Sequence, residues 1–357
     1  MKYLLSAFTG LGNSIQKTPL ISAIHALDTE AEVDIIGDDR SGALEVLKKS
    51  QLISRVHQAS RKMMPVEFLK VLFLMNARRY DAVFLLVDAT PRWLRYMSYI
   101  SNASKVYQHI WTYEMRMLHR IELLLKPSKV ILVPLLAKRH EIDTAVDILD
   151  AYTVQPFQRD RTTWIAIDKD LTVLTRFRLP KEYLCLQVGS TGGSKTAKRW
   201  PLVHFSELIL SIQNKYPNLG IVIVGDQGDY DLVIKPLLET HPALINTAGH
   251  TSLAEVMSVM AMSKGVVCHD SGLMHMANAM GIPLVALYGP TDHYRTSPLG
   301  GKSVVLRKDL HCAPCMYNYG GISEAGVFER CPRPACMEAI TPNDVMREIE
   351  CLLLHQH

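Results

Sequence analysis

A glycine-rich segment with hydroxyl and cationic side chains could bind the phosphates of a ligand. It runs from Gly189 to Thr196 after an apolar stretch of strand character, and Lys198 follows closely. Backbone amides, hydroxyls and cations in a glycine loop suit a diphosphate. The sequence therefore predicts anion binding by this segment. The candidate side chains are Ser190, Thr191, Lys195 and Lys198.

The same segment nearly matches the P-loop pattern G-x-x-x-x-G-K-[ST]. Ser194 stands where that pattern has its second glycine, and no acidic magnesium partner follows an apolar strand in the expected style. A P-loop nucleotide hydrolase and a plain surface loop stay open as alternatives. General anion binding is the favoured interpretation.

A second polar segment runs from His269 to His275, between an apolar strand and the next helix. Asp270, Ser271 and Gly272 fall at the helix N-terminus, where free amides and the helix dipole attract an anion. His275 lies one turn into the helix, on the face that carries Ser271. The alternative is a buried capping aspartate with a histidine of the core.

A glycine turn, Gly10-Leu11-Gly12-Asn13, follows the first apolar strand. Glycines at this place let the backbone turn tightly and approach a ligand. The turn lacks the third glycine of the dinucleotide fingerprint. A plain strand-to-helix turn is therefore equally compatible with the pattern.

The chain has seven cysteines, of which Cys185 and Cys268 lie in strand patterns and are expected in the core. Because the chain looks cytosolic, stable disulfides are not expected. Four of the other five have the spacing Cys-x2-Cys-x15-Cys-x4-Cys, which is typical of four thiolates around zinc or iron, with a structural role. The candidate ligands are Cys312, Cys315, Cys331 and Cys336.

The composition excludes several classes of protein. The chain has 357 residues, of which 48% are hydrophobic and 21% charged, and its net charge is +4. These values exclude a disordered tail, a fibrous repeat and a disulfide-rich miniprotein. No apolar run reaches the roughly 18 residues of a membrane span. The N-terminal apolar run is too short for a signal peptide, so we expect a cytoplasmic protein.

Positive charge is concentrated in residues 48–130, which hold 15 Lys and Arg against 5 Asp and Glu. One interpretation is a solvated helical face. The other is a surface for an anionic partner, such as acidic lipid headgroups or a phosphorylated glycolipid, with peripheral contact to the inner membrane. No recognised nucleic-acid-binding motif accompanies the charge, so nucleic acid is not expected as a partner.

Strand and helix patterns alternate along the chain, which predicts an α/β protein with parallel, doubly wound sheets. Strands are predicted at residues 2–8, 32–36, 80–87, 130–135, 183–188, 220–224, 265–268 and 283–288. The predicted organisation is two Rossmann-like domains with a cleft between them, the usual place for a ligand. The predicted segments are a first domain at 1–165, a linker at 166–182, a second domain at 183–335 and a C-terminal helix at 336–357. The cysteine-rich segment 312–336 belongs to the end of the second domain. Packing of the C-terminal helix on the first domain is one option.

Taken together, the motifs resemble glycosyltransferase family 9, the bacterial heptosyltransferases of lipopolysaccharide core assembly. The resembling segments span almost the whole chain in the family's order and are specific for the family, but not for donor or acceptor. They are Ala197–Pro201 with His204-Phe205, Asp270–His275, Gly281–Pro283 and Tyr288–Asp292, supported by Gly10–Gly12, Thr18-Pro19, His140-Glu141 and Ala248–Leu253.

The resemblance implies a GT-B architecture, with two facing Rossmann-like domains and a central cleft. The acceptor would bind the N-terminal domain and the nucleotide sugar the C-terminal one. It also implies an inverting, metal-independent transfer without a cofactor, in which an acceptor hydroxyl displaces a nucleoside diphosphate from the anomeric carbon. That step needs a base for the hydroxyl and stabilisation of the departing charge.

The resemblance also assigns roles to particular residues. Stabilisation of the diphosphate falls to the loop side chains Ser190, Thr191, Lys195 and Lys198 and to the amides of Ser271 and Gly272. His275 would hold a phosphate oxygen, and Asp270 would contact donor sugar hydroxyls or orient the loop. Asp229 is the candidate for a ribose hydroxyl.

One position departs from the family's pattern. The lipopolysaccharide enzymes usually carry an aspartate after the glycine turn that looks like the base, whereas this chain has Asn13, and an amide cannot accept the proton. Asp88, after the strand pattern at 80–87, could serve as the base instead. Asn13 could orient the acceptor without a base, or the chain could be inactive.

The predicted function is transfer of a sugar, with heptose from ADP-heptose as the favoured donor, onto a lipopolysaccharide core or a related surface glycan. A protein hydroxyl is an alternative acceptor. The cysteine-rich segment of this chain resembles the segment at which the protein-glycosylating heptosyltransferases of autotransporters bind iron. A catalytically silent binder of nucleotide sugars is the third option, motivated by Asn13.

Overall fold

The structure is a computed structural model of the 357-residue chain. It describes residues 1–39, 42–62, 65–86, 90–110, 126–136, 138–166, 170–189, 197–300, 302–315, 331 and 334–354. The chain divides into two compact units, Met1–Ala166 and Ile167–His357. Each unit contains one six-stranded parallel sheet, as expected for two Rossmann-like domains. The predicted linker and domain limits stay predictions.

The first sheet has the order β3-β2-β1-β4-β5-β6, and all its strands are parallel. Its strands are β1 (Lys2–Ala7), β2 (Glu32–Gly37), β3 (Arg55–Gln58), β4 (Ala82–Leu85), β5 (Lys105–Ile110) and β6 (Val130–Pro134). The strand order reverses between β1 and β4. In doubly wound sheets a ligand binds at the carboxyl edge beside such a reversal.

The second sheet repeats this topology with the order β12-β11-β10-β7-β8-β9, again parallel throughout. Its strands are β7 (Tyr183–Leu186), β8 (Gly220–Ile223), β9 (Ile245–Asn246), β10 (Gly265–His269), β11 (Leu284–Leu287) and β12 (Ser303–Leu306). Here the order reverses between β7 and β10. The central strands are buried along their length, because helices cover both faces of a parallel sheet.

Helices connect the strands in each unit. The first unit contains α1 (Leu11–Ile15), α2 (Thr18–Leu27), α3 (Ala43–Lys48), α4 (Pro65–Arg78), α5 (Arg92–Ile100) and α6 (Glu141–Thr153). The second contains α7 (Thr172–Arg176), α8 (Leu202–Lys215), α9 (Lys235–Thr240), α10 (Leu253–Ala261), α11 (Gly272–Ala279), α12 (His293–Thr296), α13 (Ala335–Glu338) and α14 (Pro342–Leu354). A 3-10 turn at Gln227–Asp229 and a π turn at Tyr230–Ile234 precede α9. No helix of the described residues is long and apolar enough to cross a membrane.

The last helix, α14, packs within the second unit. Val345, Met346 and Ile349 are buried in the same apolar cluster as Trp200 and Phe205. The helix contacts α8 and the strands β10, β11 and β12. Packing of this helix on the first unit, the option left by the sequence, stays a prediction.

A buried carboxylate joins β2 to α4 in the first unit. The Oδ2 atom of Asp34 accepts hydrogen bonds from Tyr80 Oη at 2.8 Å and from Arg78 Nε at 3.1 Å. The side chain of His57 lies 3.5 Å from the same oxygen. Burial raises the pKa of Asp34, but hydrogen bonds from His57, Arg78 and Tyr80 outweigh burial and hold it below its ordinary value. Arg78, the last residue of α4, is thereby fixed to the sheet.

Replacement of Asp34 by alanine should destabilise the first unit by about 3–5 kcal/mol, because the Arg78 guanidinium would stay buried without its main partner. Urea unfolding measures this loss. The exposed carboxylate of Glu30 offers a matched control, for which Glu30→Ala should change stability by less than about 0.5 kcal/mol. Equal effects of the two substitutions would contradict the proposed role of Asp34.

Candidate functional site

The carboxyl edge of the second sheet brings the two predicted polar segments together. The strands β7 and β10 are neighbours at the reversal of strand order. Gly189 follows β7, and Asp270 and Ser271 follow β10 before α11 begins at Gly272. Because both strands end at the same edge, segments more than 70 residues apart in sequence meet there. The sequence predicted each segment but not this contact.

Lys198 and Asp270 form the central ion pair of this edge. The Lys198 Nζ atom donates to Asp270 Oδ2 at 2.7 Å, and both side chains are largely buried. Burial raises the pKa of the Asp270 carboxyl. The charge and hydrogen bond of Lys198, with contributions from His275 and Thr291, outweigh burial and hold this pKa below its ordinary value. Asp270 is therefore ionised at neutral pH, and it holds the ammonium group of Lys198 at the edge of the sheet.

Tyr288 supports the same carboxylate from the neighbouring strand edge. Its hydroxyl donates to the carbonyl oxygen of Thr296 at 2.8 Å and makes a weaker, shared contact with Asp270 Oδ1 at 3.3 Å. Burial raises the pKa of Tyr288 well above its ordinary value, so the phenol stays neutral and can act as a donor. From the sequence alone, Tyr288 was recognisable only as part of a family motif. Its contact with Asp270 depends on the pairing of β10 with β11.

Ser271 caps α11. Its hydroxyl oxygen accepts from the amide of Met274 at 3.3 Å and donates to Gln187 Oε1 at 2.7 Å. The cap satisfies one of the free amides of the helix N-terminus, and the first amides, from Gly272 onward, remain at the edge of the sheet. His275 lies buried one turn into the helix and interacts electrostatically with Asp270. The predicted helix N-terminus is therefore confirmed, and so is the position of His275 beside it.

His269 has a positioning role that the sequence analysis did not identify. Its Nε2 atom accepts the amide hydrogen of Trp200 at 3.0 Å, and its Nδ1 atom lies 3.1 Å from the carbonyl oxygen of Gly189. Since a carbonyl can only accept, Nδ1 carries the proton and the ring is neutral. Burial, together with the nearby cations Arg199 and Lys198, lowers the pKa of His269 to about 4. The ring thus fixes both ends of the segment between Gly189 and Trp200.

Trp200 secures the far end of that segment in the core. Its ring is buried and meets Phe205 edge to face, with 4.9 Å between ring centres. The indole Nε1 atom donates to the carbonyl oxygen of Ile340 at 2.9 Å. The backbone near Lys198 is therefore anchored at Trp200, two residues along the chain. This rigidity explains why the motif Lys198-Arg199-Trp200 contains a large aromatic residue beside the cations.

The turns after β8 and β9 lie close together at the same sheet. The amide of Gly249 donates to the carbonyl oxygen of Gly225 at 3.0 Å, and both glycines have positive φ angles of +75° and +143°. A Cβ atom at Gly249 would approach Cβ of Gln227 within 2.8 Å. Glycine is therefore required at position 249 for both backbone and packing. The candidate ribose ligand Asp229 ends the 3-10 turn, but its side chain lies outside the described residues.

The glycine turn of the first unit follows β1 at the reversal beside β4. Gly10 caps α1 with an extended backbone, and a Cβ atom there would meet nothing within 4 Å. The fold itself therefore does not require glycine at position 10. Gly12 and Asn13 lie within α1, and Asn13 is exposed. An exposed amide at this edge is available to a ligand.

Cationic and aromatic groups surround the same edge. Arg61 donates to the carbonyl oxygen of Phe8 at 2.6 Å, and its Nε atom lies 2.8 Å from a carboxylate oxygen of Asp38. The Trp93 indole donates to the carbonyl oxygen of Arg61 at 3.2 Å and meets Phe8 edge to face. From the sequence alone, Arg61 was only one of the cations in the basic stretch. The structure places this guanidinium directly after β1.

Several predicted site residues lie outside the described residues. They are Asp88, the candidate base, and the loop residues Ser190, Thr191 and Lys195. The residues that flank Asp88 are described. The amide of Leu86 and the hydroxyl of Thr90 both donate to Ser6 Oγ, at 2.9 and 3.1 Å.

The predicted metal ligands are near one another but do not form a described site. Burial, followed by the neighbouring thiols of Cys315, Cys312 and Cys331, raises the pKa of the Cys336 thiol to about 11. Within the described residues, no group of three or more His, Cys, Asp or Glu side chains could hold a metal ion. The metal site therefore stays a prediction. Cys336 itself packs beside Gly289, the residue after Tyr288.

Comparison with known proteins identifies the family. Residues 104–319, more than half of the chain, match the sequence profile described as "Glycosyltransferase family 9 (heptosyltransferase)". The chain belongs to glycosyltransferase family 9. The matched region includes Lys198, Asp270 and His275, so the family's pattern and the observed ion pair fall in the same segment. The family predicted from the motifs is confirmed.

Curated relatives are similar over part of their length. The lipopolysaccharide heptosyltransferase 2 of Escherichia coli is 32% identical over 164 residues, which are 45% of this chain and 44% of that protein. The lipooligosaccharide heptosyltransferase 2 of Haemophilus influenzae is 38% identical over 116 residues, 31% of this chain and 33% of that protein. The chain thus spans less than half the length of these two relatives.

Solved structures of glycosyltransferases share the fold over the full chain. A glycosyl transferase of family 9 from Veillonella parvula has a TM-score of 0.79 at 18% identity, with 99% of this chain and 98% of that chain covered. The ADP-heptose lipopolysaccharide heptosyltransferase II of E. coli has a TM-score of 0.74 at 21% identity, with 100% and 99% covered. The predicted α/β GT-B class is confirmed.

The buried His269 predicts a pH dependence of stability. Its folded pKa of about 4 lies below the ordinary value of 6.5, so the unfolded chain binds the proton first as pH falls. Stability supplied by this group should be complete above pH 6.5 and should decline by about 1.4 kcal/mol per pH unit between about 6.5 and 4. His269→Gln should lack this part of the decline in chemical unfolding experiments. The exposed His250 provides the control, because His250→Gln should retain the decline; an equal slope in all three proteins would contradict the assignment.

Proposed function

We propose that this protein is an inverting heptosyltransferase. It transfers heptose from ADP-heptose to a hydroxyl of a lipopolysaccharide core or a related surface glycan. Family membership and the named activities of the curated relatives support the proposal. The observation that carries it is the buried pair of Lys198 and Asp270 at the N-terminus of α11. Family membership also favours this function over a P-loop hydrolase.

The second unit would bind the donor. The departing nucleoside diphosphate carries negative charge that develops during the transfer, and preorganised donors stabilise such charge. Lys198 supplies an ammonium group that Asp270 already holds in place, so little reorganisation is needed when the phosphates arrive. The free amides of α11 supply further donors and a favourable dipole. His275, beside them, would hold a phosphate oxygen.

Asp270 has a second use in this proposal. Its Oδ1 atom lies 3.3 Å from the Tyr288 hydroxyl, which is a longer contact than the 2.7 Å hydrogen bond between Oδ2 and Lys198. A carboxylate oxygen has more than one acceptor position. Asp270 could therefore accept a hydroxyl of the donor sugar while it holds Lys198. The same residue would then orient both the sugar and the phosphate ligand.

The first unit would bind the acceptor, and it would also supply the base that takes the proton of the acceptor hydroxyl. Asn13 is exposed at the turn after β1, where it can orient a hydroxyl but cannot take its proton. Asp88 follows the neighbouring strand β4 in sequence and is the proposed base. An inactive chain that still binds nucleotide sugar is the alternative, and the asparagine at position 13 is the observation that favours it.

Partners and location follow from the same proposal. The acceptor would be an anionic glycan or glycolipid at the cytoplasmic face of the inner membrane, and Arg61 beside the glycine turn suits a phosphate or carboxylate of such an acceptor. The transfer itself needs no metal. A structural zinc or iron at Cys312, Cys315, Cys331 and Cys336 is a separate proposal, supported by their residue type and proximity.

The donor is tested by thermal stabilisation with ADP, UDP, GDP, dTDP, CMP and ADP-heptose. Binding to the folded state should stabilise the protein by about 2.7 kcal/mol at a ligand concentration 100 times the dissociation constant. We expect stabilisation by ADP and a larger effect of ADP-heptose. Stabilisation only by a nucleotide other than ADP would exclude ADP-heptose as the donor. No stabilisation by any of these ligands would contradict donor binding.

The role of Lys198 is tested by the double variant Lys198→Gln/Asp270→Asn, which avoids leaving one charge buried alone. We expect kcat for transfer to fall by about 10²–10³-fold, the effect of losing a donor to developing charge. The exposed pair of Lys264 and Glu182 is the matched control. Lys264→Gln/Glu182→Gln should keep full activity, and similar losses in both double variants would contradict the assignment.

Asn13→Asp distinguishes an active chain, in which Asn13 orients the acceptor, from a silent binder. Transfer should fall if Asn13 orients the acceptor and another carboxylate is the base. Transfer that appears only in the Asp variant would show that the natural chain is a silent binder. Donor binding, measured by the ADP shift, should stay unchanged in both cases, because Asn13 lies in the first unit.

A further inference from the structure

Two helices of the first unit present large apolar side chains to solvent. On α4, Leu69 is 65% exposed and Phe73 is 75% exposed; on α5, Tyr96 is 46% and Ile100 is 63% exposed. Residues four apart lie on one face of a helix. We call these four residues the α4–α5 face. Scattered exposed apolar residues are normal, whereas pairs of them in successive turns of two helices that contact each other indicate a candidate site of association.

The opposite sides of both helices are firmly packed, so the outward direction of this face is fixed. Met75 of α4 and Leu94 and Met97 of α5 are fully buried in one apolar cluster. The two helices contact each other, and the Asn102 amide after α5 donates to Asn76 Oδ1 of α4 at 2.8 Å. Arg78 fixes the end of α4 to β2. Rotation of either helix to hide its apolar face would break these contacts.

The charges around the face have one dominant sign. Lys70 and Arg92 are exposed on the same two helices. Between residues 90 and 110 the chain has three cations and no carboxylate. On α4 the single acidic residue is Glu67, in the first turn. The two helices therefore expose apolar side chains together with more basic than acidic ones.

We propose that the α4–α5 face docks on the anionic lipid surface of a membrane. Apolar side chains of an interfacial helix enter the boundary between headgroups and acyl chains, and lysine and arginine at its margins attract anionic headgroups. Tyrosine is also favoured at this boundary. The proposal rests on the proposed function, because an enzyme that acts on a glycolipid must meet its acceptor at a membrane.

Charge distinguishes this occupant from a second copy of the chain. Two copies packed face to face would bring Lys70 and Arg92 of each near those of the other, without enough acidic residues to compensate. Like charges brought together in this way oppose association. An anionic lipid surface offers both the apolar layer and the opposite charge.

The test is co-sedimentation of the full chain with vesicles of phosphatidylcholine alone or with about 30 mol % phosphatidylglycerol. We expect binding to the anionic vesicles and at least a tenfold weaker partition for Leu69→Glu/Phe73→Glu. Lys70→Gln should weaken binding by about fivefold, the effect of one cation near such a surface. Leu210→Glu, at an exposed apolar position on α8 of the second unit, is the matched control and should bind as the natural chain does.

Three results would overturn the proposal. They are binding that does not depend on the anionic lipid, equal loss in the Leu210 control, and a change from oligomer to monomer in Leu69→Glu/Phe73→Glu with vesicle binding unchanged. The last would identify the face as a contact between copies. Retained melting temperature and nucleotide binding exclude misfolding of a variant.

Failure of the proposed function can be distinguished from failure of membrane docking. Vesicle binding needs no sugar transfer, so it can be observed even if ADP-heptose is not a substrate. If transfer does occur, Leu69→Glu/Phe73→Glu should keep its rate on a water-soluble, delipidated acceptor and lose rate on an acceptor embedded in anionic vesicles. Equal rates on both acceptors would count against the docking face alone.

Discussion

The buried ion pair between Lys198 and Asp270 is the interaction on which the candidate donor site depends. Taking two charges out of water is costly, and the cost is recovered only when each charge has close partners. Here the carboxylate has both Lys198 and the Tyr288 hydroxyl. The pair therefore keeps a cation at the edge of the sheet without a ligand. A diphosphate would find that cation already in position.

A neutral histidine next to this pair gives the site its rigidity. The ring of His269 accepts a hydrogen bond from the Trp200 amide and donates one to the Gly189 carbonyl oxygen. One ring therefore binds the two residues that flank the stretch between Gly189 and Trp200. Its low pKa follows from burial and from the nearby cations, and the two hydrogen bonds require the neutral form. This neutral ring thus adds no charge to the site.

The two units share one topological feature, the reversal of strand order. In each sheet the strand order reverses beside the first strand, and the polar segments follow the strands on either side of that reversal. In the second unit this edge carries the ion pair and the N-terminus of α11. In the first unit it carries the glycine turn, Asn13 and Arg61. The outward faces of α4 and α5 lie away from the strands and remain available for association.

The sequence by itself determined the α/β class, the family and the residue types of the candidate site, because strand and helix periodicity and the polar motifs are local patterns. It missed β3, β5, β9 and β12; in β5, for example, Gln108 and His109 look polar yet are buried, and Tyr99 satisfies Gln108 through a hydrogen bond of 2.7 Å. Only the tertiary structure decided that Lys198 meets Asp270, that His269 joins Gly189 to Trp200, and that Phe73 faces solvent. These facts depend on which strands are neighbours and which helix faces find a partner, and both arise from contacts between residues far apart in the chain.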